Sequence, residues 1–317
     1  DNSLAALTVA ATSSNIVSFT GNVYVDAVTV GDAGDELRFL GATGSTQVVS
    51  GTINDNGTND EGIIRVGNDT LAPTVQFDGQ IGNNFRLATL EVNQNATAFL
   101  NANASSNNVT VDTGATLRIG SGDTLTVQAA GALTVNGTLQ VDVTDADGTL
   151  TAGDFGQVAT ANEALDTDVV RVNVTGLIGT ANDLDPFGAL TFDEAKAVTD
   201  NSALYVFTVD AGHNVDVTQA ATSSFTSSTN TNNIATALLG AGTAATGELE
   251  TVQNAFAAAG TSTVNDVLEA AAVDVSSGAA VAGFNFAGQS AGATNARLAS
   301  LRGGSAETGM VAGEITH

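Results

Sequence analysis

Val109-Thr110-Val111, Leu117-Arg118-Ile119, Leu125-Thr126-Val127 and Leu133-Thr134-Val135 are apolar–polar–apolar triplets that begin eight residues apart. Leu90-Glu91-Val92 before them and Leu139-Gln140-Val141 after them have the same form. Each triplet reads as a minimal strand whose outer two side chains point inward and whose middle one points out. Asp112-Thr113-Gly114, Gly120-Ser121-Gly122-Asp123, Ala130-Gly131 and Asn136-Gly137 separate them, and Gly and Asn reach positive φ at low cost. Three steps close a period of about 24 residues, in the range of stacked solenoid turns. A hairpin sheet also alternates, but hairpins rarely keep so constant a step. The pattern therefore predicts a mainly β chain whose body is a right-handed parallel β-helix, or β-solenoid.

Working outward, residues 1–221 form the strand-rich body, with regular rungs over about 90–141 and a capping region over about 142–221. Upstream, Ile16–Thr20, Val23–Val25, Val28–Val30, Leu37–Leu40, Gln47–Val49, Ile63–Val66 and Val75–Phe77 read as rungs with loops inserted between strands. Downstream, Val169–Val174 and Leu204–Val209 read as longer strands that close the stack. Residues 222–317 change character: a Ser/Thr/Asn linker, an Ala-rich helical segment and a flexible tail. Val264, Val267, Leu268 and Ala271 stand at helical spacing; Gly260 is a helix stop, and Ser262 or Thr263 a cap for the next helix.

Composition narrows the function classes. The chain has 34 acidic and 8 basic residues, a net charge of −26, and Lys196 is its single lysine. Nucleic-acid binding needs phosphates neutralised by Lys and Arg, so this balance argues against it, and against anionic membrane surfaces. Dispersed carboxylates suit a strongly hydrated exterior, or divalent cations shared between neighbours. No cysteine is present, which excludes disulfides and thiolate chemistry. No apolar run is long enough for a membrane helix. Asp1-Asn2-Ser3 carries no basic and apolar leader, as expected once a signal peptide has been removed. Aromatics are 5%; Ala and Val dominate, which suits a narrow stacked core.

The carboxyl-terminal stretch Asn295-Ala296-Arg297-Leu298-Ala299-Ser300-Leu301-Arg302-Gly303-Gly304, followed by Val311-Ala312-Gly313-Glu314, resembles the junction before the outer-membrane barrel of Gram-negative type V autotransporters. The strand-rich body likewise resembles a passenger of that family. The resemblance implies export to the cell surface, a precursor carrying its own outer-membrane barrel, and a passenger separated from it here, since no barrel strands follow His317. It does not fix an activity: such passengers include adhesins, proteases, esterases and surface-layer subunits.

Two motifs carry candidate chemistry. Gly288-Gln289-Ser290-Ala291-Gly292 has the form of a nucleophile elbow, but an elbow needs a histidine base and an orienting acid. His317 is the only histidine downstream, so chance in a Gly/Ala/Ser-rich segment is the better reading. His213 lies in the turn Asp210-Ala211-Gly212-His213-Asn214 and is expected at the surface. The second motif, Asp145-Ala146-Asp147-Gly148 through Asp154, resembles a calcium loop. Alternate oxygen ligands surround such a cation and the glycine makes the bend. Asp145, Asp147 and Asp154 are the candidate calcium ligands, against the alternative of an Asp-Gly turn between strands. No catalytic residue is assigned. The expectation is a non-enzymatic surface protein that associates with itself into a layer, fibre or matrix. An adhesin is the alternative, and a hydrolase using Ser290 a remote one.

Overall fold

The computed structural model describes residues 4–9, 14–57, 60–160, 164–165, 169–188, 191–192, 198–221, 229–239 and 248–270. Strands alternate between a nine-stranded and an eight-stranded parallel sheet, giving a β-solenoid of about seven turns. The triplets stack as their spacing predicts: Val109, Thr110 and Val111 lie in register with Leu133, Thr134 and Val135, one full turn later. Between these two, Leu117–Ile119 lies on a second face, against Leu139–Val141, and Leu125 lies on a third, against Ala104. One triplet therefore supplies one face, and three supply one turn.

Two sheets wrap three faces because some strands bend. Val23–Val30 and Thr46–Asp55 run from the second face into the third. Their pairing skips a residue between Tyr24 and Ala27, opposite Gly51. Gly51 has φ +92°, and a Cβ there would collide with the Val25 carbonyl. Gly79, one turn on, stacks its own missing Cβ against the Gly51 carbonyl. This corner closes only without side chains.

The inward columns of the regular rungs are almost wholly apolar. Leu90, Val92, Val109, Val111, Leu117, Ile119, Leu125, Leu139 and Val141 are each 0% exposed. The predicted narrow aliphatic core holds in these regular rungs. Near the amino-terminal end, Phe19 stacks on Phe39 at 5.4 Å, and Phe39 meets Phe77 edge-on at 5.2 Å, an internal aromatic column. Gln47 also points inward, and its amide binds the carbonyls of Phe19 and Gly21 and the amide of Gly41. It ties the corner segments of successive turns together.

The stack extends past its regular block. Gln157–Ala159 pairs with Thr124–Val127, Val170–Val174 with Thr138–Val143, and Thr199–Asp200 with Val170–Val174. Closure comes from an antiparallel sheet of Ala181–Leu184, Val215–Gln219 and Tyr205–Val209. Helices α1 (Thr229–Leu239), α2 (Glu248–Ala257) and α3 (261–270) follow. Val264 donates to Gly260, so α3 starts two or three residues earlier than a cap at Ser262 or Thr263 would set it. Val264 and Leu268 are fully buried, whereas Val267 is 47% exposed. The helices belong to the fold: Asn254 of α2 accepts the Leu177 amide, and Ala203 donates to Ala259.

Candidate functional site

The outer surface is a set of in-register columns, because each turn places its middle triplet residue over the previous one. On the second face, Thr46, Thr74, Thr97, Thr116 and Thr138 form one threonine column. On the first face, Ser18, Arg38, Arg65, Glu91, Thr110 and Thr134 are stacked. Here the charges meet. Arg38 donates to both oxygens of Glu36 at 2.6 and 2.9 Å, and Arg65 bridges Glu36 at 2.7 Å and Glu91 at 2.9 Å. Arg38, and then Arg65, hold the Glu36 carboxyl below its ordinary pKa. Burial raises that of Glu91 although Arg65 opposes it. Arg118 grips the buried Asp142, which also accepts from Asn173, and lies 4.2 Å over the Phe99 ring. The pairs made by Arg65 and Arg118 link turns in the way cross-strand pairs support any sheet.

A cavity of about 610 Å³ lies where the cap meets α2, and Asp145, Asp147, Gly148, Leu177, Glu250 and Asn254 line it. Two of the three candidate calcium ligands therefore share a wall, and each also accepts main-chain amides. Asp145 Oδ1 accepts from the amides of Asp147 and Gly148, and its Oδ2 accepts from Gly179 at 2.8 Å. Asp147 accepts from Thr149. Asp154 turns back on the amide and hydroxyl of Thr151, starting a short 3-10 turn at Ala152–Asp154. Among the described residues no group of three or more His, Asp or Glu side chains is placed to hold a metal ion. The three candidate ligands thus build the local turns: Asp145 and Asp147 hold the Asp-Gly turn and Asp154 starts the 3-10 turn.

His213 departs from its expected surface position. It has φ +67°, is half-buried, and its Nδ1 accepts the Phe192 amide at 3.0 Å. The ring pins the cap to a neighbouring strand. Ser290, the Arg297–Gly304 stretch, Lys196 and His317 lie outside the described residues. Sequence reasoning missed Asp200. It continues the inward column after Val172, and burial raises its pKa from 3.8 to about 6 against the opposing Ser202 amide and Arg171 charge. Its signal was the register of the last rung, which no local motif reveals. Among the described residues no helix is long and apolar enough to cross a membrane. Comparison with family models, curated proteins and solved structures returned no match.

Proposed function

We propose that this chain is a non-enzymatic structural protein of the Gram-negative cell surface, an exported passenger whose solenoid assembles with further copies into a layer, fibre or matrix. One observation carries the reading: the chain invests its body in a single unbroken stack. Its nine-stranded sheet runs from Leu7–Val9 to Thr199–Asp200. At about 4.8 Å per strand the stack is a rod roughly 40 Å long. Its outward columns of Thr, Ser and paired Arg and Glu continue from turn to turn, and they reinforce the rod.

The solenoid is the fold that the passenger resemblance implies, and passage through an outer membrane suits a chain without cysteine. A net charge of −26 opposes packing of copies side by side, so assembly requires screening or bridging cations. Sedimentation and negative-stain imaging of the chain, at low and moderate salt and with calcium or chelator, test the reading. Ordered assemblies that loosen at low salt or in chelator are expected. Discrete single rods in every condition would overturn it and favour an adhesin-type stalk.

A further inference from the structure

We infer that the second face of the solenoid is a self-association surface, and that its occupant is the same face of a second copy, with the two rods antiparallel. The inference deepens the assembly reading and rests on it. Three observations carry it.

The first is regularity. Thr74–Phe77, Thr97–Leu100, Thr116–Ile119, Thr138–Val143 and Val170–Val174 stack on this face with no shift of register. Beside the threonine column runs a second outward column, from Gln76 through Arg118 to Arg171. The five strands make a patch about 24 Å tall and about 13 Å wide.

The second is charge. On a chain of net charge −26, the outward columns of this patch set Asp78 and Asp142 against Arg118 and Arg171. Copies that meet here bring no excess of like charge together.

The third is which charges the chain leaves over. In the middle of the patch Arg118 is held by Asp142, and on the first face Arg38 and Arg65 are spent on Glu36 and Glu91. Asp78 and Arg171 stand at opposite ends of the patch, four strands or about 19 Å apart. Both are exposed. Asp78 accepts the side-chain amides of Gln76 and Asn101, and Arg171 makes no ion pair among the described residues. The patch is therefore negative at one end and positive at the other. A two-fold axis lying in the face, along Thr116–Ile119, brings Asp78 of each copy within reach of Arg171 of the other. The two Arg118 side chains meet at the axis, each already neutralised by its own Asp142. The patch is smaller than the roughly 800 Å² per partner of a standard interface, so one pair is weak and gains strength by repetition in a layer.

The test uses the full 317-residue chain in sedimentation velocity over a wide concentration range at moderate salt. Arg171→Glu sets like charges across the axis at two places and is expected to weaken self-association about tenfold. Adding Asp78→Arg to the same chain reverses both ends of the patch and should restore it. Arg171 also acts on Asp200, so the restoration is decisive: a change four strands away cannot repair a local defect. Thermal melting establishes that each variant folds. The chain has no cysteine, which gives a clean second readout. A short bis-maleimide should link an Asp78→Cys chain to an Arg171→Cys chain. It should fail to link two Asp78→Cys chains, whose thiols stand about 20 Å apart across the axis. Wild-type assembly in which the double variant fails to recover, or in which the mixed chains do not link, overturns this inference and leaves the assembly reading intact. A wild-type chain that stays single at every concentration and salt overturns both.

Discussion

Asp200→Asn isolates the one carboxylate that the stack turns inward at its end. Asp200 lies in register with Val172, below Val141, Ile119 and Leu100 in the same column. Burial raises its pKa from 3.8 to about 6, while the Ser202 amide at 2.8 Å and the Arg171 charge act the other way. A raised carboxyl pKa means that the folded chain holds the proton more tightly than the unfolded chain. The stability so gained is complete below about pH 3.8, where both states are protonated, and is lost as pH rises through about 6. The gap between about 6 and 3.8 is worth at most about 3 kcal/mol. Residual hydration of the carboxylate brings the expected effect to about 1–2 kcal/mol. Asn keeps the shape and still accepts the Ser202 amide, but cannot ionise. Urea unfolding of wild type and Asp200→Asn at pH steps from 4 to 8 reads the difference directly. The variant should match wild type near pH 4 and exceed its stability by about 1–2 kcal/mol at pH 7–8. Subtracting the two curves removes Glu91 and Asp123, whose pKa values burial also raises. A difference independent of pH, or an Asn variant less stable at pH 7, refutes the reasoning.

Leu117→Ala empties a fully buried position in the middle of a column and should cost about 3 kcal/mol in denaturant unfolding. Gly51→Ala forces a Cβ into the Val25 carbonyl at φ +92°, whereas Gly44, at φ +76°, faces open space. The first substitution should therefore lower the melting midpoint well beyond the second, whose cost is about 1 kcal/mol. Asn254→Ala removes the acceptor for the Leu177 amide. It should cost about 1–2 kcal/mol and expose the helices to limited proteolysis before the solenoid.

Where the sequence keeps its step, the fold could be read from it. Val109 stacks on Leu133 because every corner between them uses a turn of similar length. Upstream, in-register partners lie 27 residues apart from Phe39 to Val66, 26 from Val66 to Val92 and 19 from Val92 to Val111. There the corners absorb insertions while the strand spacing stays fixed, so periodicity fades although the stack does not. Gln47–Val49 reads as a short rung, yet it belongs to Thr46–Asp55, which Gly51 folds across two faces. The Asp145 loop is ambiguous in sequence for a different reason. Asp-x-Asp-Gly serves a cation loop and an Asp-Gly turn equally, and only the direction of each carboxylate separates them. His213 and Asp200 depend on partners far along the chain, Phe192 and the Val172 column, which no local pattern specifies.

The three-step turn underlies every functional statement above, and a pair of cysteines tests it most directly. Strand neighbours stand about 4.8 Å apart, within the Cα separation a disulfide tolerates. Thr110 and Thr134 are such neighbours on one outer face. In a hairpin sheet Thr110 would instead lie beside Arg118, its successor in sequence. Oxidation of the Thr110→Cys/Thr134→Cys chain should close an intramolecular disulfide, and the Thr110→Cys/Arg118→Cys chain should stay reduced. The reverse result would contradict the solenoid and the scaffold built on it.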